Sequence, residues 1–138
     1  MPVLYHDQVQ QVESATDGNV MTASLLVDSN TTTCVGLPPS GIDTTTIKLY
    51  PPMGFYSKLN VEVVISGMLE SCGKSKFTMM SSDSDTDIFN NACYPYQPIY
   101  NTGLTHCLFE CRCFYQCYTI HFMIVDSVYM DICEFYFS

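Results

Sequence analysis

Apolar residues in this sequence recur at every second position, a period that admits strands and excludes helices as the framework. Leu59, Val61, Val63 and Ile65 share one face of a segment whose other face carries Asn60, Glu62 and Ser66. Thr45-Thr46-Ile47-Lys48-Leu49-Tyr50 alternates in the same way. Such segments are half-buried strands, one face on a core and the other in water. Residues 118–125 and 130–137 are rich in aromatic and β-branched side chains, which suit a pleated surface. A short connection at Asp126-Ser127-Val128 would let these two close the domain as a hairpin. Turn-rich stretches punctuate the strands at Gly36-Leu37-Pro38-Pro39-Ser40-Gly41, Tyr50-Pro51-Pro52-Met53-Gly54 and Cys93-Tyr94-Pro95-Tyr96-Gln97-Pro98. No window carries a convincing helical stripe. Many short strands with Gly and Pro between them predict an all-β antiparallel sandwich or barrel.

The chain of 138 residues is 47% hydrophobic and 14% charged, enough apolar mass for one packed domain over 1–138. Its net charge of −9 opposes the phosphate neutralisation that nucleic-acid binding requires, and anionic membranes are equally poor partners. The longest mostly apolar stretch, Ile120 to Val125, is far below the ~20 residues that span a bilayer, so no direct membrane insertion is expected. Met1-Pro2-Val3-Leu4-Tyr5-His6-Asp7 lacks the basic start and apolar run of a signal peptide, and the sequence therefore reads as a mature domain or an excised module.

Eight cysteines, at 34, 72, 93, 107, 111, 113, 117 and 133, are an even count and a heavy load for a cytosolic domain. They place the protein in an oxidising compartment, secreted or on a cell surface. Cys107-x3-Cys111-x-Cys113-x3-Cys117 invites a zinc reading, since four thiolates lie within eleven residues. Cys111 and Cys113, two apart on a strand, point to the same face. Disulfides to Cys72 and Cys93 and within the cluster account for the thiols without a metal, and the compartment favours them.

Leu25-Leu26-Val27-Asp28-Ser29-Asn30-Thr31-Thr32-Thr33-Cys34 resembles the "A-x-D-G-N-x-x-T-x-C" segment of galactose-binding-like domains, the jelly-roll family of discoidin (coagulation factor 5/8 type C) modules and F-type lectins. Met130-Asp131-Ile132-Cys133-Glu134-Phe135-Tyr136-Phe137 is similar to the "L-x-L-C-E-V-x-V" strand that ends the same lectins. The cysteine-dense middle resembles divergent members from invertebrate cell-surface receptors. The resemblance implies a disulfide-stapled jelly-roll sandwich in which Cys34 pairs with Cys133. It also implies a structural Ca²⁺ held by the side chains of Asp28, Thr33 and Glu134, with Leu25, Asn30 and Cys133 offering carbonyls. In the alternative reading Asp28 caps its own turn and Glu134 is a solvated strand residue. Asn30-Thr31-Thr32 is the one N-glycosylation sequon in the chain, so a glycan on Asn30 is expected in a secreted glycoprotein.

Asp83-x-Asp85-x-Asp87 begins like an EF-hand loop but has Ile88 where glycine is required and Tyr94 where a bidentate glutamate is required. It reads as a solvated acidic loop. F-type lectins grip fucose with one His and two Arg, whose forked donors engage several hydroxyls. Arg112 is the one arginine here, so that triad cannot form. His6, His106 and His121 remain, and His121, on a strand between Thr119 and Met123, reads as a packed residue. A ligand would fall to loop tyrosines, with Tyr94, Tyr96 and Tyr100 the densest candidates.

No nucleophile elbow, zincin motif or phosphate-binding loop occurs, and bridges account for the cysteines, so no enzyme is expected. The composition and motifs together predict a non-catalytic recognition or adhesion module, binding a glycan or an extracellular protein through loops at one end of the sandwich. The alternative is an acidic matrix or spacer module with no small-molecule site.

Overall fold

The computed structural model describes residues 12–14, 32–37, 45–51, 56–69, 72, 77–83, 91–124 and 130–138. Every regular element among them is a strand: β1 (Val12–Ser14), β2 (Val35–Leu37), β3 (Thr45–Leu49), β4 (Tyr56–Ser66), β5 (Phe77–Ser82), β6 (Asn91–Ala92), β7 (Tyr94–Pro95), β8 (Ile99–Asn101), β9 (Leu104–Gln116), β10 (Thr119–Ile124) and β11 (Met130–Phe137). They form two antiparallel sheets. The first runs β1-β3-β10-β5-β6; the second runs β2-β11-β4-β9-β7, with β8 also on β9.

The alternation read from the sequence fills the space between the sheets. Leu59, Val61, Val63 and Ile65 of β4 are fully buried, opposite Ile47, Leu49, Ile120, Phe122 and Ile124 of the first sheet. Four rings join the layers. Phe77 lies 5.0 Å from Phe122 and 5.8 Å from Phe109, and Phe122 lies 5.3 Å from Phe135, in tilted and edge-on arrangements that suit the ring quadrupoles.

The closing strands do not form the expected hairpin. β10 pairs with β3 and β5 while β11 pairs with β2 and β4, so the chain passes from one sheet to the other between them. The reason lies in the core: Phe122 and Phe135 meet edge-on across the gap, and in one sheet they could not fill it from both sides. The segment 126–128, given as their connection, lies outside the described residues. The β8–β9 hairpin turns at Thr102 and Gly103, whose φ angles of 49° and 79° give the mirror-image turn that matches strand twist.

β11 contains a register shift between Ile132 and Glu134. Met130 and Ile132 face the core before it, and Phe135 and Phe137 after it, so one extra residue re-phases the strand. That residue is Cys133, bonded to Cys34. The other pairs are Cys72–Cys107, Cys93–Cys111 and Cys113–Cys117, and no cysteine is free. Each cysteine of the 107–117 cluster is therefore spent in a bridge, and none is left as a thiolate for zinc.

Candidate functional site

Among the described residues, the outer face of the second sheet brings aromatic and charged groups together. On β9 the odd residues from Thr105 to Cys113 are buried, which turns Glu110, Arg112 and Phe114 outward. Tyr94 is the cross-strand partner of Glu110 and Lys58 that of Arg112. Tyr96 stays beside β9 through its backbone N–H, which donates to the Leu108 carbonyl at 2.9 Å. The Tyr94 and Tyr96 rings pack edge to face at 5.3 Å and are 65% and 43% exposed. Two large amphipathic side chains are thus held rigid against each other while facing solvent.

Glu110 organises the polar half. Arg112 donates from Nε at 2.9 Å and from Nη2 at 2.8 Å to its Oε2, and Lys58 Nζ and the Tyr96 hydroxyl reach its Oε1 at 3.2 and 3.0 Å. The Arg112 bonds, then those of Tyr96 and Lys58, hold the Glu110 carboxyl below the usual carboxylate range. The Glu110 hydrogen bond in turn raises the Tyr96 hydroxyl above its ordinary value, which keeps it a phenol. Exposed ion pairs stabilise a fold little; what this one does is fix the directions of four side chains.

A group with a depressed folded pKa contributes stability above its unfolded value, ~4.3 for glutamate, and loses it as pH falls through the folded value. The melting temperatures of the wild type and Glu110→Gln are therefore expected to differ near neutrality and to converge on acidification. A gap constant down to strongly acid pH would show that Glu110 acts only through its shape.

The tyrosines proposed from sequence divide. Tyr94 lies in a strand and Tyr96 just after it, on a sheet face and not among loops at one end. Tyr100 is the partner of Thr105, whose side chain faces the opposite way, and its hydroxyl donates to the Leu69 carbonyl, so it belongs to a separate corner. Ile99, 63% exposed, takes its place as the next apolar residue on the outer face, opposite His106. His106 meets Glu62 at 3.4 Å. His121 is partly buried on β10, and His6 lies outside the described residues.

Of the residues assigned to calcium, Leu25, Asp28 and Asn30 lie outside the described residues, as do the proposed glycan position on Asn30 and the acidic residues Asp85 and Asp87. Thr33 is half-buried and Cys34 is exposed beside β2. Glu134 is fully buried, not the solvated strand residue of the alternative reading. It pairs with Val64 on the outer face of the sheet, and Val64 is fully buried too. Among the described residues no group of three potential ligand side chains gathers to hold a metal.

Asp83 is likewise not a free solvated acid. Its Oδ1 accepts from the backbone N–H groups of Tyr115 at 2.9 Å and Gln116 at 3.2 Å, and its Oδ2 from Phe114 at 3.3 Å. A short carboxylate can seat in three converging amides, and the spacing of acids in the sequence carries no sign of it.

An apolar cavity of about 260 Å³ is lined by Phe77, Met79, Pro95, Phe109, Cys72 and Cys93 among others. Thr78 supplies the one polar side chain of that lining. A saccharide needs several convergent hydrogen-bonding groups, so the outer face is the better site for one.

Two solved structures match nearly the whole chain. One is the carbohydrate-binding module CpGH89CBM32-6 produced by Clostridium perfringens, with a TM-score of 0.56 and 13% identity over 94% of each chain. The other is chitosan-binding module 1 of a chitosanase/glucanase from Paenibacillus sp. IK-5, with a TM-score of 0.54 and 16% identity over 93% of each chain. The fold is a galactose-binding-like β-sandwich. No protein-family model and no curated protein matches the sequence. At such identities the likeness speaks for the galactose-binding-like sandwich alone, and the site rests on this chain's own residues. Phe114, Tyr115, Glu110 and Lys58 were not singled out from the sequence, although alternation along β9 puts Glu110, Arg112 and Phe114 on one face.

Proposed function

We propose that the protein is a non-catalytic, extracellular module that binds an oligosaccharide on the outer face of its second sheet. The observation that carries the reading is the exposed Tyr94–Tyr96 pair locked beside Lys58, Glu110 and Arg112. Tyrosine rings offer flat apolar faces to the C–H side of a pyranose, and a carboxylate with forked guanidinium donors answers its hydroxyls. Both structural neighbours are carbohydrate-binding modules. A net charge of −9 repels sulfated and uronic-acid polymers and attracts cationic ones. Glucosamine oligomers, the chemistry of the chitosan named for the Paenibacillus module, therefore suit this surface better than acidic glycans. The four bridges support an oxidising, extracellular setting.

Calorimetric titration with a glucosamine hexamer is the test. Tyr94→Ala and Tyr96→Ala should each weaken binding by about tenfold or more, the loss of ~1.4 kcal/mol or more. Fucose and galactose should bind no tighter than about millimolar, because one arginine stands where the fucose-binding lectins use two, and the missing guanidinium fork forgoes hydrogen bonds of ~1.5–3 kcal/mol. Micromolar fucose binding, or tyrosine variants that bind as the wild type does, would contradict the reading.

We also propose a structural Ca²⁺ at Asp28, Thr33 and Glu134, completed by the carbonyls of Leu25, Asn30 and Cys133. The complete burial of the Glu134 carboxylate beside the Cys34–Cys133 bridge supports it. An ion bound only by the folded state at about a hundred times its Kd adds ~2.7 kcal/mol. A chelator should lower the melting temperature, and Asp28→Asn should remove that sensitivity. A melting curve indifferent to chelation at equal ionic strength would discard the ion.

A further inference from the structure

We infer that the saccharide site extends along β9 to Phe114 and Tyr115, and so takes the interior of a linear oligosaccharide rather than a single terminal sugar. The inference rests on the glycan reading and deepens it. Phe114 and Tyr115 are 76% and 80% exposed, the two most exposed aromatic side chains among the described residues. Exposed rings commonly sit on loose loops, but this segment is fixed from three directions. The Cys113–Cys117 bridge closes it, the Asp83 carboxylate takes the N–H groups of Phe114, Tyr115 and Gln116, and the Ser81 hydroxyl donates to the Arg112 carbonyl at 3.1 Å. Rings held in place before binding lose little freedom when a ligand arrives.

Their position continues the Tyr94–Tyr96 platform. Phe114 follows Glu110 and Arg112 on β9 and is exposed where the register of β9 shifts against β4 between Arg112 and Gln116. Four positions, at most ~13 Å at ~3.3 Å per residue, separate it from Glu110, the partner of Tyr94. A depression of about 150 Å³ lined by Asn91, Arg112, Cys113 and Phe114 lies beside it. Two aromatic seats with a polar bar between them match alternate pyranose faces and hydroxyls along one chain. A terminal sugar would use one seat and leave the other wet.

Titration of the full chain with glucosamine dimer, tetramer and hexamer, and with β-1,4-linked glucose oligomers of the same lengths, tests this. For the wild type, affinity should rise by about tenfold or more from dimer to hexamer. Phe114→Ala/Tyr115→Ala should flatten that rise and leave the dimer affinity and the melting temperature unchanged, since neither ring is buried. Tyr94→Ala should weaken dimer and hexamer alike. Equal affinity for dimer and hexamer, or a hexamer affinity untouched by Phe114→Ala/Tyr115→Ala, would overturn the extended site while dimer binding leaves the glycan reading standing. Failure of every oligomer to bind at millimolar concentration would overturn both.

Discussion

Replacing Cys34 and Cys133 together by serine is expected to lower stability by roughly 4–5 kcal/mol, the largest loss that any of the four bridges should show. The bridge spans 99 positions of sequence, and the denatured chain gains most freedom when the longest loop is released. Local structure adds to the effect. β2 is held by β11 alone, through three residue pairs, and Cys133 sits in the bulge that re-phases β11 from Ile132 to Phe135. For a domain of this size such a loss corresponds to a fall in melting temperature of roughly 10–20 °C. The Cys113→Ser/Cys117→Ser pair, which opens a loop of only four positions of separation, should cost nearer ~2 kcal/mol and serves as the internal comparison. Thermal unfolding under non-reducing conditions checks both, and equal melting of the two double variants would contradict the account of the long bridge.

Phe122→Ala should destabilise by ~3–5 kcal/mol, the usual cost of cutting a fully buried ring down to a methyl group. Phe122 is fully buried and packs on Phe77 within its own sheet and on Phe135 across the gap. Its removal leaves a void facing both sheets, with no flexible neighbour among the four rings to fill it. Met123, the next residue, points outward and is 41% exposed, so Met123→Ala should stay within ~0.5 kcal/mol. Denaturant unfolding separates the two. The midpoint for Phe122→Ala should fall without a change in slope, and a shift no larger than that of Met123→Ala would refute the aromatic core as the join between sheets.

How much of this was legible in the sequence follows from the range of each interaction. The period of β4 named its buried residues, because burial on one face of a strand is a local property. The sandwich followed from many such strands. The closing hairpin was misread because 118–125 and 130–137 look alike as strands, and which sheet each joins depends on partners as distant as Val35 is from Ile132. The bulge at Cys133 was invisible for a related reason. It is defined by β4, its partner, and not by any residue within β11.

The cysteine cluster left its connectivity open, since parity showed that Cys111 and Cys113 share a face but not which cysteine each meets. The site was legible in part. Composition picked out Tyr94 and Tyr96, yet density along the sequence also picked Tyr100, which the pairing Tyr100 to Thr105 turns away from them. Glu110 drew no attention because its three partners come from β4, β9 and the segment after β7. Asp83 was assigned to water because three backbone amides leave no mark on a residue pattern.

The claim that the outer face of the second sheet, and not the loops at an end of the sandwich, binds saccharide is tested most directly by residue-resolved amide NMR during titration with the glucosamine hexamer. Shifts confined to residues 94–96 and 110–115, with 32–34 and 133–134 unmoved, are the predicted result. Shifts gathered around 32–34 and 67–69, or no shift at saturating hexamer, would contradict it.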